Sequence, residues 1–156
     1  MFIDETGIDH QIIKDHCWAP RGTKIICEKS GKARGRTSLI AGLCNGKPIA
    51  PFCFKGHMNT EVFIDWLEKI LLPGLFEGQV VVMDNASFHK SQKIRDLIEK
   101  SGCKLVYLPA YSPDLNPIEN YWAWLKRKIK CLRLNEPVFD KCLDIVSNMK
   151  YKKTLN

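Results

Sequence analysis

Apolar residues fall along this chain in two rhythms, and the switch between them marks out the elements. Thr37–Cys44 and Pro48–Lys55 are β-prone runs separated by Asn45-Gly46, the strongest short-range signal for a tight hairpin. Met1–Asp4 reads as a very short apolar strand ending in an acid, and Val80–Met83 is a wholly apolar run that leads into Asp84. Between them the period lengthens. Val62, Phe63, Trp66, Leu67 and Ile70 make a helical stripe over Asn59–Leu72, closed by Pro73-Gly74. The pattern predicts a helix over Ser91–Ser101, ended by Gly102, and then a strand over Leu105–Leu108. A strand–helix–strand unit of this kind sets its two strands parallel, with a right-handed crossover. The turn-rich PAYSPDLNP then leads into a helix over Pro117–Leu132, and a last amphipathic helix covers Val138–Met149. The stretch up to Arg36 is otherwise poorly patterned. The expected fold class is α/β: a mixed sheet in which an antiparallel hairpin joins parallel strands, flanked by helices.

Length and composition bound this picture. The chain has 156 residues, 45% of them hydrophobic, enough for one domain over residues 1–150 with a real core and a short basic tail at 151–156. The longest apolar runs, Leu39–Cys44 and Ile70–Phe76, are far shorter than the ~18 residues a membrane span requires. No basic-then-apolar leader opens the sequence. The seven cysteines are odd in number, irregularly spaced and without a CxxC pair, so reduced, buried thiols are expected. Together these point to a cytoplasmic protein.

Charge adds a partner class. The net formal charge is +7, and most of it lies after Pro117. A second basic cluster, Arg21, Lys24, Lys29, Lys32, Arg34 and Arg36, is opposed only by Glu28. Such blocks suit a polyanion such as DNA, and they also suit a solvated surface.

Three carboxylates stand out by position. Asp4 and Asp84 each follow an apolar strand, and the C-terminal ends of strands are where open α/β sheets place ligands. On neighbouring strands about 4.8 Å apart, two such carboxylates repel unless a cation joins them. Oxygen-only ligation favours Mg²⁺ or Mn²⁺. Taken singly, each aspartate is also a turn former. Glu119 has two compatible readings. With Asn116 as N-cap and Pro117 at the first helical position it would complete a capping box, and the helix's positive end also favours a charged carboxylate that could bind metal. Lys126 and Lys130 follow on the same helix face, with Arg127 beside them, placed to meet the phosphates of a flanking backbone. Trp122 lies on the neighbouring apolar stripe and is expected in the core. Glu5 should point to the opposite side of its strand from Asp4, and Asp114 reads as a turn or cap.

These residues resemble a known family. FIDET, VVMDNASFH and LPAYSPDLNPIENYWAWLK are similar to the catalytic domain of DDE transposases, in the bacterial insertion-sequence branch of the mariner-like superfamily. Between Asp84 and Glu119 lie 34 residues, the spacing that superfamily uses. The resemblance implies a ribonuclease-H-like fold, a catalytic triad of Asp4, Asp84 and Glu119, and two divalent ions, Mg²⁺ or Mn²⁺, per active site. It implies double-stranded DNA as partner, meaning transposon ends and a TA-type target, with a dimer assembled on it. His89 falls where the family motif also has a histidine, behind the site or against the DNA backbone. Members normally carry an N-terminal helix-turn-helix region; here three residues precede Asp4, so the expectation is either an upstream reading frame of a split element that supplies it, or a decayed fragment. Another ribonuclease-H-like nuclease, or an inactive remnant that only binds DNA, remains as the alternative.

Overall fold

A computed structural model of the chain describes residues 1–10, 20–22, 35–136 and 138–151. Its centre is a five-stranded sheet in the order β3-β2-β1-β4-β5. β1 spans Phe2–Asp9, β2 Arg36–Cys44, β3 Lys47–Lys55, β4 Val80–Met83 and β5 Lys104–Tyr107. β1–β2 and β2–β3 are antiparallel, while β1–β4 and β4–β5 are parallel. The hairpin turns at Asn45 and Gly46, whose φ angles of 50° and 73° give the left-handed pair that a two-residue turn requires.

The helices fill both faces. α1 (Thr60–Trp66) begins at Asn59, whose side chain accepts the Val62 N–H at 2.8 Å, and runs on as a π-helical turn over Leu67–Leu71. α2 (Gln92–Lys100) makes the crossover between the parallel strands β4 and β5. These two helices cover one face, around Ile3, Phe63, Trp66, Met83 and Ile94. α3 (Ile118–Leu132) and α4 (Phe139–Ser147) cover the other, around Ala41, Ile118, Trp122, Leu125 and Cys142. Burying each of the larger side chains, such as Ile3, Phe63, Met83 or Leu125, contributes about 1.5–3 kcal/mol. The single-residue alternation of β1 therefore decides which layer each of its residues meets.

One expectation changes. The first strand does not stop at Asp4; it continues to Asp9, because β2 pairs with it along its whole length, from Phe2↔Leu43 to Asp9↔Arg36. Polar Glu5, Thr6 and Gly7 hid that continuation in the sequence. Only the parallel partner stops early, after Ile3↔Met83. The five described cysteines are unpaired. Among the described residues no helix is long and apolar enough to cross a membrane.

Candidate active site

The early end of β4 creates the site. Asp4 and Asp84 each follow the last parallel pair, Ile3↔Met83, so the two aspartates stand at the same step on adjacent strands, where the parallel pairing ends while β1 runs on against β2. α3 lies across β1 on this face and brings Glu119 to the same place from its first turn. All three carboxylates line one cleft of about 420 Å³, walled by the connector from Leu108 to Pro113 and by Asn116. Asp114 does not line it and sits in an exposed turn.

The three acids are held differently. Asp4 is 8% exposed, and its Oδ2 accepts the indole N–H of Trp122 at 3.1 Å. Burial pushes its carboxyl up to about 7, helped by the neighbouring charges of Glu5 and Glu119. Asp84 goes the other way: its Oδ1 meets Nδ1 of His89 at 2.6 Å and accepts the Ala86 N–H at 3.1 Å. The bond to His89 is the main cause that holds it below the usual carboxylate range. Glu119 is exposed to solvent in the cleft.

The capping-box reading of Glu119 is corrected. No side chain caps α3; the Asn116 carbonyl accepts the Glu119 N–H at 3.1 Å, and the Asn116 N–H bonds Pro113 instead. The Asn116 side chain is buried, and its Oδ1 has no hydrogen-bond partner. Glu119 is thus not tied to its own helix end.

His89 also departs from one of its readings. It is wholly buried, with its ring 4.5 Å from Phe63 and 4.3 Å from Phe88, so it cannot touch a DNA backbone. Its Nε2 lies 3.0 Å from Oε1 of Glu5. Burial alone would lower its pKa, but the bonds to Asp84 and Glu5 outweigh that and raise it to about 9. With ionised carboxylates on both nitrogens, each must donate, so the ring is cationic. Glu5 does face away from Asp4, as alternation requires, yet it joins the site through this ring. Sequence placed Trp122 in the core and Glu5 across the strand, but which polar atom each meets is set by sheet pairing and not by local pattern.

Of the basic residues expected at DNA, Lys126, Arg127 and Lys130 are exposed on α3. Arg36 is exposed at the start of β2, 3.8 Å from Asp9. Arg34 lies outside the described residues.

An all-oxygen set of three acids suits a hard divalent ion. Among the described residues no three His, Cys, Asp or Glu side chains stand close enough to hold one ion. Ligation would require these acids to draw together.

A mixed sheet in this order, with acids just past the pairing of its two central parallel strands, is the ribonuclease-H-like fold. The profile of the DDE superfamily endonuclease family matches residues 1–136, and the chain belongs to that family. It is 34% identical over 107 residues to the Tcb1 transposable-element transposase of Caenorhabditis briggsae, covering 65% of this chain and 39% of that protein. Among solved structures, the Mos1 strand transfer complex superposes with a TM-score of 0.58 at 18% identity, over 95% of this chain and 54% of that one. The mariner Mos1 paired end complex with Mg also gives 0.58 at 18%, over 97% and 56%. The chain thus spans about two fifths of the curated transposase it matches and about half of the Mos1 chain.

Proposed function

We propose that this chain is the catalytic domain of a DNA transposase, with Asp4, Asp84 and Glu119 as a metal-binding triad that cuts transposon ends and joins them to a TA-type target. The observation that carries this reading is that three carboxylates, from β1, β4 and α3, line one open cleft. The Mg named in the Mos1 structure supports divalent-ion use, and the all-oxygen donor set fits Mg²⁺ or Mn²⁺, two ions per site. When bound, the ions would supply charge neutralisation at the scissile phosphate. The chain's own residues do the rest. Asp84, kept ionised by His89, presents an oxygen without a proton to remove first. Asp4 must release its proton on binding, which a nearby cation drives. Glu119 closes the set from the helix, where the N-terminal dipole favours its charge.

Lys126, Arg127 and Lys130 extend along α3 away from Glu119 and would hold flanking phosphates, with Arg36 at the sheet end. A dimer on DNA, and a helix-turn-helix region supplied from an upstream frame, complete the proposal. The protein would act at the chromosome, in the cytoplasm of a bacterial host. The test is nicking of a DNA duplex carrying a transposon end, with Mg²⁺ or Mn²⁺, by the wild type, Asp84→Asn and Glu119→Gln. Metal-dependent nicking that both substitutions abolish is expected. Because no capping box exists, Glu119→Gln should shift stability by no more than about 0.5 kcal/mol. Near-normal nicking by Glu119→Gln would remove it from the triad.

A further inference from the structure

We propose that Glu5 and His89 are positioning residues that set Asp84 for metal binding from the far side of the sheet; this rests on the transposase reading of Asp84. The imidazole spans two carboxylates from different elements, 2.6 Å from Asp84 Oδ1 and 3.0 Å from Glu5 Oε1. Its own place is fixed by Phe63 and Phe88 against the ring and by the Tyr107 hydroxyl, which donates to the His89 carbonyl at 2.7 Å. Asp84 Oδ1 therefore carries two protein bonds, from His89 and from the Ala86 N–H, and the carboxylate plane is set by them. The second oxygen is left for the cleft that Asp84 lines.

Glu5 is the unexpected member. It does not line that cleft; it borders a separate hollow with Arg36, Ser38 and His57. Alternation along β1 puts it on the opposite face from Asp4. It can reach neither an ion nor DNA in the cleft; its charge is felt by Asp4, but its hydrogen bond acts on the site through His89. Outer partners of this kind typically change metal affinity by about 10–100-fold when removed.

The experiment measures Mn²⁺ affinity by calorimetry on the full chain, alongside thermal melting. Asp84→Asn is the control for the underlying reading: if it binds Mn²⁺ as the wild type does, the metal site itself is misassigned and this inference goes with it. Given that control, Glu5→Gln should weaken binding about 10-fold. Glu5→Asp keeps the charge but withdraws the oxygen from His89, and it should weaken binding equally. His89→Asn retains a donor near Asp84 but cannot reach Glu5, so adding Glu5→Gln to it should change affinity by less than about twofold. Unchanged affinity in Glu5→Asp, or the same loss from Glu5→Gln in both backgrounds, would mean that Glu5 acts by its charge alone or on the fold alone. Either result overturns the proposal.

Discussion

On the α3 side of β1, Asp4 is buried against one neutral donor, the Trp122 indole, and its carboxyl is pushed up to about 7. On the other side, Glu5 and the neighbouring Asp84 share a buried cation, His89, and Asp84 is pulled below its ordinary value. The two aspartates stand on adjacent strands just past the last parallel pair, yet one is primed to hold a proton and the other to hold a charge. The site is therefore not a symmetric pair. Asp84 is a fixed anion that the fold has already compensated, whereas Asp4 is an uncompensated one that a metal ion would complete.

The largest test of this comparison removes the compensation. His89→Leu fills the same space but leaves two carboxylates without their shared partner. Breaking a fully buried ion pair by removing one member costs about 3–5 kcal/mol; with the Asp84 side chain 46% exposed, urea unfolding at neutral pH should show a loss at the low end, about 3 kcal/mol. A loss under about 1 kcal/mol, the size of an exposed ion pair, would show that the bridge does not hold Asp84.

A second, smaller effect is the pH dependence of the metal-free protein. Asp4 keeps its proton in the folded chain up to about 7 but gives it up near 3.8 when unfolded, so stability falls as pH rises through that window. His89, raised from 6.5 to about 9, contributes stability that is full below 6.5 and lost as pH rises toward 9. Asp84, lowered from 3.8, acts in the opposite sense, but only in acid below that value. Stability should therefore drop steadily between about pH 4 and pH 9. Asp4→Asn should flatten the lower part of the curve, and saturating Mn²⁺ should do the same. A curve for Asp4→Asn that matches the wild type would show that Asp4 is ionised throughout.

How much of this was legible beforehand follows the range of each signal. The Asn45-Gly46 turn, the β4–α2–β5 crossover and the apolar stripe of α3 are local, and periodicity carried them. The acids at Asp4, Asp84 and Glu119 were marked by position after strands and at a helix start. The extension of β1 to Asp9 was hidden because its polar residues are stabilised by pairing with Arg36–Cys44, about thirty residues away. Asn116 has the chemistry of a cap, but its backbone took that part and its side chain was turned into the cleft wall. In the Glu5–His89–Asp84 bridge the motif already sets His89 behind Asp84, five residues on, but Glu5 lies 84 residues from His89 and no local spacing joins it.

The smallest effect isolates the Trp122 contact from the volume it fills. Trp122→Phe removes both the indole N–H and part of a ring that is 2% exposed, and the lost packing costs a similar amount at every pH. The hydrogen bond does not. Below the Asp4 transition it joins a neutral acid, worth about 0.5–1.5 kcal/mol; above it, it joins a carboxylate, worth about 1.5–3. The destabilisation by Trp122→Phe should thus be about 1 kcal/mol greater at pH 8.5 than at pH 5.5. The pH-dependent part should vanish in an Asp4→Asn background, where the acceptor carries no charge at either pH. An equal cost at both pH values would mean that the indole merely packs beside Asp4, and that the carboxylate reaches the cleft without a donor behind it.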